Sequence, residues 1–333
     1  MNALIDLIFN AVLNGAPLMY GTMGEILTER SGNMNLGVEG MMYMGGAFGL
    51  AGAFYYGKLT GASASGPVAL LLAILFAFLA GAIGALIFGF LTISLRANQN
   101  VTGLALTIFG TGIGQFTGEY MRIMEEGGYV AVDNSLKSFF QNSPFPQALQ
   151  NIPVAGKLLF GYNIFVYLGV ILAVAMGLFI KRTRAGLNLR AIGESPSAAD
   201  AAGINITRYK YLATIIGGGI SAVGGMVYIM TIAGCVWNHA GLSGEGWLAV
   251  ALVIFCLWRP GNAIWGAGLF GALLILYMRD TALFGTHLPI PDEIYKILPY
   301  VVTLVVLIIT SLRKKRENQP PESLGSAYFR EER

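Results

Sequence analysis

Long apolar runs separated by short polar connections dominate the pattern along this chain. An apolar run of about 18 residues or more is long enough to cross a ~30 Å hydrocarbon layer as a helix. We predict nine spanning segments, at 6–24, 38–56, 67–93, 101–118, 162–180, 211–233, 244–258, 261–279 and 294–312, of which 244–258 is shorter and needs flanking residues to span. The pattern therefore predicts an all-α polytopic membrane protein with about nine transmembrane helices, within a range of eight to ten.

The composition supports this class, because 55% of the residues are hydrophobic and only 12% are charged. A soluble domain carries about 25% charged residues. The two cysteines, Cys235 and Cys256, lie near opposite ends of a hydrophobic stretch, so neither a structural disulfide nor a metal site is predicted. The N-terminus has no basic region and no clear cleavage site, and we interpret it as the start of the first span.

The distribution of positive charge predicts the orientation of the chain in the membrane. Loop 181–210 carries six lysines and arginines against two acids, and the tail 313–333 begins Arg-Lys-Lys-Arg. Both are therefore expected on the cytoplasmic side. With nine spans in a single domain, 1–312, the N-terminus and the long loop 119–161 then lie outside.

The order of the spans predicts an inverted repeat, with four spans in each half and one extra span between them. The first four begin outside and the last four begin inside, which is a common arrangement in transporters. A weak sequence echo agrees with it, because Gly37-Val38-Glu39-Gly40 opens the second span and Gly244-Glu245-Gly246 opens the seventh.

The polar, glycine-rich stretch 29–40 between the first two spans is unusual for a connection. One interpretation is a broken helix whose free backbone groups line a solute pathway. The other is a tight cytoplasmic turn followed by a capped helix. Glu39 and Glu245 lie at or just inside spans, where an ionised acid costs at least ~2.5 kcal/mol. Each is expected to face the bundle interior, either as a pathway residue or as an acceptor at a helix N-terminus.

Several amides and aromatic residues near the spans offer further polar contacts. Asn98-Gln99-Asn100 precedes the fourth span, Gln115 lies inside it, and Trp237-Asn238-His239 follows the sixth. Amides bind sugar hydroxyls and base edges, and aromatic rings stack on bases. The alternatives are helix caps for the amides and, for Trp237, the interfacial aromatic belt, which we favour.

Loop 181–210 contains the start and stop signals of a short helix. Ser195 and Pro196 suit its N-cap and first position, and Gly203 suits the residue after its end. The helix between them consists mostly of small residues, so it would fit a groove in a partner protein. The alternative is a surface loop that contacts lipid head groups.

Enzyme signatures are absent from the sequence. A phosphate-binding loop ending in Gly-Lys-Ser/Thr, a metal-binding pattern and a nucleophile elbow are all missing, so we predict neither an ATPase nor another enzyme. The basic clusters are short and lie beside spans, which indicates topology and not nucleic-acid binding.

Two motifs resemble a known family. The run from Arg190 to Asn205 is similar to the cytoplasmic coupling segment of bacterial ABC importer permeases of the ribose and branched-chain amino acid class. Residues 29–40, ERSGNMNLGVEG, resemble the signature of the nucleoside-type permeases in that class, which are also called simple-sugar permeases. The resemblance covers about residues 7–312 and also includes blocks beginning at Arg96 and Gly244.

The resemblance implies a partner set and a division of the site residues. The expected partners are two ATPase subunits, a second and non-identical permease subunit, and an extracytoplasmic substrate-binding lipoprotein. The chain itself is expected in the cytoplasmic (inner) membrane of a bacterium. The chain itself is expected to bind no cofactor, since its partners use the ATP. The substrate pathway is expected near Asn33, Asn35, Glu39, Asn98, Gln99 and Glu245, and the contact with the ATPase at Glu194, Ser195, Pro196, Ala198, Ala199, Ala202, Gly203 and Ile204.

The sequence therefore leads to the hypothesis of a permease that imports nucleosides by alternating access, driven by partner ATPases. One alternative keeps the machinery and changes the substrate to simple sugars such as ribose. Another is a secondary transporter driven by an ion gradient. A membrane-bound enzyme is disfavoured because no catalytic set of residues is present.

Overall fold

The computed structural model describes residues 2–284, 291–313 and 319–329, and within these ranges the chain is helical and contains no β-strand. The α-helices are α1 (Asn2–Glu29), α2 (Val38–Thr60), α3 (Gly66–Gly89), α4 (Gln99–Met124), α5 (Asn134–Gln141), α6 (Gln147–Gln150), α7 (Ile164–Arg182), α8 (Arg184–Glu194), α9 (Pro196–Ala201), α10 (Ile206–Thr231), α11 (Glu245–Phe255), α12 (Pro260–Phe284) and α13 (Asp292–Arg313). Each of the nine predicted apolar segments coincides with one of these helices, so the all-α class is confirmed.

The structure differs from the prediction in the two longest predicted loops, 119–161 and 181–210. Helix α4 continues to Met124, so residues 119–124 belong to a helix and not to the long loop. Loop 181–210 contains a second helix, α8, that the sequence analysis missed. Thr183 caps α8 by accepting a hydrogen bond from the Gly186 amide at 3.0 Å, and Leu189 and Ile192 are buried on one face. The basic residues 314–316 that supported the orientation lie outside the described residues.

Four helical segments in the described part of the chain are long and apolar enough to cross a membrane, judged by length and composition. They are Leu4–Glu29, Gly66–Ser94, Ile164–Arg182 and Ile206–Thr231. Large apolar side chains also point outward from α3 and α4, for example Leu71, Ile83 and Ile108. An outward-facing apolar surface on such helices is what a bilayer accommodates.

Helix α10 is the centre of the bundle and packs against α1, α2 and α3. Its packing against α2 requires a glycine, because a Cβ atom at Gly225 would lie 1.8 Å from the carbonyl oxygen of Met42. Small residues allow helix backbones to approach closely in membranes, where no hydrophobic force drives helix association. Helix α1 packs in turn against α10, α11 and α12. These helix contacts do not test the inverted repeat, which stays a prediction.

At the end of the bundle away from α8 and α9, the connections between helices pack against each other. Ala131 forms an isolated antiparallel bridge with Val236, and the Trp237 amide donates to the carbonyl of Val130 at 3.1 Å. Trp237 is only 7% exposed, and its ring fills the space beside Gly118. The prediction of an interfacial belt residue is therefore wrong for Trp237, because these connections and α4 cover the ring with protein. Cys235 and Cys256 are both free and buried.

Candidate functional site

The turn between α1 and α2, residues 30–37, is irregular backbone buried within the protein. Side chains from other elements satisfy its polar groups. The Met34 amide donates to Gln99 Oε1 at 2.7 Å, and the Asn35 amide donates to Glu25 Oε1 at 3.0 Å. Asn33 Nδ2 donates to the hydroxyl of Thr214 at 3.0 Å. Hence α1, α4 and α10 all hold this turn, which reconciles its polar sequence with its burial.

The start of α2 meets the start of α11 through one carboxylate. The amide of Gly244 donates to Glu39 Oε1 at 2.7 Å, and the amide of Gly246 donates to Glu39 Oε2 at 2.6 Å. These amides belong to the N-cap and first turn of α11, where backbone N–H groups lack acceptors within the helix. We call this arrangement the Glu39 junction. It corresponds to the interpretation of Glu39 as an acceptor at a helix N-terminus.

Glu245 lies beside the Glu39 junction, but its carboxylate is not fully hydrogen-bonded as that of Glu39 is. The Oε2 atom of Glu245 is buried and has no hydrogen-bond partner among the described residues. Tyr228 and Tyr300 both lie close enough to interact electrostatically with the Glu245 carboxylate. Tyr43 lies near Glu39 and interacts with the side chains of Ser243 and Gln115.

We refer to Glu245, Tyr43, Tyr228 and Tyr300 as the tyrosine cluster. Its members come from α11, α2, α10 and α13, so residues far apart in sequence meet inside the bundle. The sequence analysis found Glu245 and Gln115 but missed the tyrosines. Tyrosines within otherwise apolar spans were the available signal, because a buried hydroxyl usually needs a polar neighbour.

The predicted pathway residues fall into two groups. Asn33, Asn35 and Gln99 lie at the turn after α1, and Glu39 and Glu245 lie at the start of α11. The exposed Asn98 acts as the N-cap of α4, because its Oδ1 accepts a hydrogen bond from the Val101 amide at 3.1 Å. The polar groups of the first group are engaged in holding the turn, whereas Glu245 keeps an unpaired acceptor.

The short helix of loop 181–210 is present as α9, six residues long. Ser195 caps it, with its hydroxyl accepting from the Ala198 amide at 3.4 Å, and Pro196 occupies the first position. Gly203 has a φ of +79°, a left-handed conformation that favours glycine and ends the helix. Ala199 is buried, whereas Ala198 is exposed. Helix α9 thus presents a small-residue surface outward, and we call residues 184–205 the coupling segment.

A basic cavity of about 590 Å³ borders the coupling segment. Among the described residues on its wall, Glu194 is the one acid, against four cationic side chains, which are Arg30, Lys181, Arg190 and Arg259. Burial, with the charge of Arg190 as the second cause, lowers the pKa of Arg30 to about 10. The guanidinium of Arg30 donates to the carbonyl of Trp258 at 3.0 Å, which fixes one wall of the cavity.

Residues 319–329, which we call the tail segment, return to the same end of the bundle. The Ser323 amide donates to the carbonyl of Gly193 at 3.0 Å, and the Gly325 amide donates to the carbonyl of Gly32 at 3.2 Å. The hydroxyl of Tyr328 lies 2.9 Å from Asp200 Oδ2 in α9. The tail segment therefore joins the turn after α1 to the coupling segment. The sequence analysis predicted a cytoplasmic tail and not this contact.

The chain resembles known transport proteins over most of its length. Residues 7–307 match the model of a family described as branched-chain amino acid transport system / permease component. A nucleoside ABC transporter permease protein of Lactococcus lactis is 30% identical, over 93% of this chain and 93% of the relative. A guanosine ABC transporter permease protein of Bacillus subtilis is 33% identical, over 88% of each chain. A putative glucose ABC transporter permease protein of Haloferax volcanii is 32% identical, over 97% of this chain and 98% of the relative.

These similarities agree with the helical bundle and with the coupling segment on its surface. The family model and the relatives cover both halves of the chain, including the Glu39 junction, the tyrosine cluster and α9. The protein is accordingly a multi-pass membrane permease subunit. The chain belongs to the branched-chain amino acid transport system / permease component family of ABC transporters.

Proposed function

We propose that this permease imports nucleosides by alternating access and that two partner ATPase subunits supply the energy. A second, non-identical permease subunit completes the pathway, and an extracytoplasmic lipoprotein delivers the substrate. The N-terminus lies outside and the coupling segment lies in the cytoplasm. This chain performs no covalent chemistry and binds no cofactor of its own.

The geometry of α9 supports the coupling role. The helix is short and capped at both ends, and its outward surface of small side chains leaves room for a partner's groove. Its position between α8 and α10 links it directly to the central helix of the bundle. Displacement of α9 by a partner would therefore be passed to α10, which packs against three other helices.

The tyrosine cluster supports the substrate assignment. Glu245 offers a buried acceptor without a partner among the described residues, Tyr228 and Tyr300 lie near it, and Tyr43 lies near Tyr228. A nucleoside carries ribose hydroxyls and base N–H groups that can donate to a carboxylate, and its base can stack on aromatic rings. The unpaired Oε2 of Glu245 is the single observation that carries this assignment, because a buried acceptor is costly until a donor reaches it.

A simple sugar is the second candidate substrate. The Haloferax volcanii relative named as a putative glucose permease is as similar to this chain as the nucleoside relatives are, at 32% identity. Sugar hydroxyls would satisfy Glu245 equally well. The aromatic rings favour the nucleoside, since only the base presents a flat π-face.

The test is uptake into vesicles that contain this chain, its partner subunits and its binding protein. Labelled nucleosides and labelled ribose are offered with and without ATP at the ATPase face. We expect ATP-dependent uptake of a nucleoside that excess ribose does not reduce. Uptake of ribose alone would transfer the assignment to sugars, and uptake without ATP would overturn the mechanism.

A variant of Glu245 makes the test specific to the tyrosine cluster. Glu245→Gln keeps the size of the side chain and removes its charge, so we expect the KM for the nucleoside to rise about tenfold while thermal stability is preserved. Gln115→Glu is not a suitable control, because it adds a charge to the cluster. Glu126→Gln, in the outer loop beyond α4, removes a carboxylate elsewhere and is expected to leave the KM unchanged. An unchanged KM in Glu245→Gln would show that Glu245 does not contact the substrate.

A further inference from the structure

A second polar cavity lies at the coupling end of the bundle, apart from the tyrosine cluster. Its volume is about 500 Å³, and its walls come from the α3–α4 connection, the start of α4, the end of the coupling segment, the start of α10 and the tail segment. A cavity of this size can hold a small ligand. Its wall includes Asn33 and Gln99 of the predicted pathway and Gly203 of the predicted ATPase contact. Neither of those roles explains the cationic side chains that face the same space.

Lys210 is the most informative residue on this wall. The residue is 4% exposed and lines the cavity, and its side-chain ammonium forms no hydrogen bond or ion pair within the described part of the chain. An ammonium group removed from water is costly unless a negative charge or several acceptors replace its hydration. The cavity is the space in which such a group can reach Lys210.

Arg96 supplies a second positive charge to the same cavity. Its φ of +56° is a left-handed conformation that residues with a side chain adopt rarely. The guanidinium lies 4.6 Å from the centre of the Phe329 ring, which holds it at the edge of the cavity. Asp200 is the one acid among the wall residues that the structure describes, and it accepts a hydrogen bond from Tyr328.

Two long helices also begin at this cavity. Gln99 opens α4 and Ile206 opens α10, and both residues line the wall. The first N–H groups of a helix lack acceptors within it, and the helix dipole adds positive potential there. Asn205 caps only the Arg208 amide in α10, at 2.9 Å. Two helix N-termini, an ammonium and a guanidinium therefore converge on one space.

We infer that this cavity is a binding site for a phosphate group, held by Lys210, Arg96 and the N-terminal amides of α4 and α10. Helix N-termini and paired cationic side chains are the usual means by which proteins bind phosphate. The volume leaves room for the remainder of a phosphate ester. The tail segment closes the site, because Ala327 and Tyr328 form part of its wall. Free phosphate and a lipid head group share this chemistry, and the experiment separates them.

The experiment uses the full chain with its partner subunits in phosphatidylcholine nanodiscs. Thermal unfolding is followed while inorganic phosphate replaces chloride at constant ionic strength. We expect a saturable rise in Tm for the wild-type chain. Lys210→Met removes the charge and keeps a long apolar side chain, so it should weaken the response to phosphate about tenfold or more, the effect of losing a hydrogen bond to a charged group.

Arg208→Met is the matched control, because Arg208 is an exposed cation two residues away that does not line the cavity. We expect it to respond to phosphate as the wild type does. A second series replaces part of the phosphatidylcholine with phosphatidylglycerol. If that lipid stabilises the wild type but not Lys210→Met, and free phosphate adds nothing further, the bound phosphate belongs to a head group.

Two results would overturn the inference. In the first, phosphate and phosphatidylglycerol raise the Tm of the wild-type chain no more than they raise the Tm of Lys210→Met. The other is an equal loss of response in Lys210→Met and Arg208→Met, which would indicate general screening of a basic surface. Neither result depends on transport, so this test can fail while the proposed function holds.

Discussion

The Glu39 junction and the coupling segment differ in how their polar groups are satisfied. At the junction, both oxygens of one buried carboxylate accept backbone hydrogen bonds from a helix more than 200 residues away in sequence. In the coupling segment, α9 is only six residues long, its capping hydrogen bond measures 3.4 Å, and it exposes alanines to the surface. The first region is fixed by buried hydrogen bonds and close packing, whereas α9 is short and exposes several of its residues. The proposed coupling to a partner ATPase requires both a fixed region and a movable one.

The largest expected effect on stability comes from disturbing the close packing of α2 against α10. In Gly225→Ala the added Cβ would meet the Met42 carbonyl oxygen at 1.8 Å, and backbone atoms cannot rotate away. We expect a loss of about 3 kcal/mol or more of stability, measured as the drop in Tm and in the monodisperse fraction after solubilisation. Gly112→Ala, in α4 with no atom within 4 Å of its Cβ, is the control and should stabilise slightly. Equal behaviour of the two variants would contradict the role given to the α2–α10 packing.

The sequence predicted the elements of the fold better than their contacts. Hydrophobic runs are local, so the nine long segments were found, and the signals at Ser195, Pro196 and Gly203 located α9 because capping is also local. The partners of Glu39 depend on how α2 and α11 pack, and no local pattern identifies them. The burial of Trp237 was missed for the same reason, since an aromatic residue between spans equally suits the membrane interface.

Removal of the carboxylate tests the junction directly. Glu39→Ala leaves the amides of Gly244 and Gly246 without their acceptor, and we expect a loss of about 2 kcal/mol, as for a helix cap that is also charged. Glu39→Gln keeps one acceptor oxygen and should lose about half as much. Thermal unfolding of the three chains in the same nanodiscs measures the series. If Glu39→Ala unfolds at the wild-type temperature, the junction does not stabilise the start of α11.

The coupling segment should respond in the opposite way, with a large effect on transport and a small effect on stability. Gly203→Trp adds a bulky side chain at an exposed position with φ of +79°, and the strain should cost about 1–2 kcal/mol. We expect ATP hydrolysis to continue while substrate uptake falls at least tenfold, because the partner no longer fits α9. Glu194→Arg should uncouple the two activities in the same way.

Gly203→Asn is the control for this prediction, because asparagine tolerates the left-handed conformation and adds little bulk. Uptake per ATP hydrolysed is measured for each chain in vesicles with its partners. Gly203→Asn should remain coupled. Normal coupling in both Gly203→Trp and Glu194→Arg would place the ATPase contact elsewhere and remove the functional half of the comparison.

The smallest effect concerns the bond that ties the tail segment to α9 in the coupling segment. Tyr328→Phe removes the hydroxyl that lies 2.9 Å from Asp200 and keeps the ring, so α9 should lose about 1 kcal/mol of local stability. Hydrogen exchange of the α9 amides measures this loss, and faster exchange should be confined to α9 and the tail segment.

A double-mutant cycle with Asp200→Asn isolates the pair from the other interactions of Asp200. A coupling energy near zero would mean that the tail segment rests on α9 without restraining it, and the coupling segment would then be freer than its contacts indicate. A coupling energy of about 1 kcal/mol would make the tail segment a weak restraint that a docking partner can overcome, which is the behaviour required of a movable element beside a fixed one.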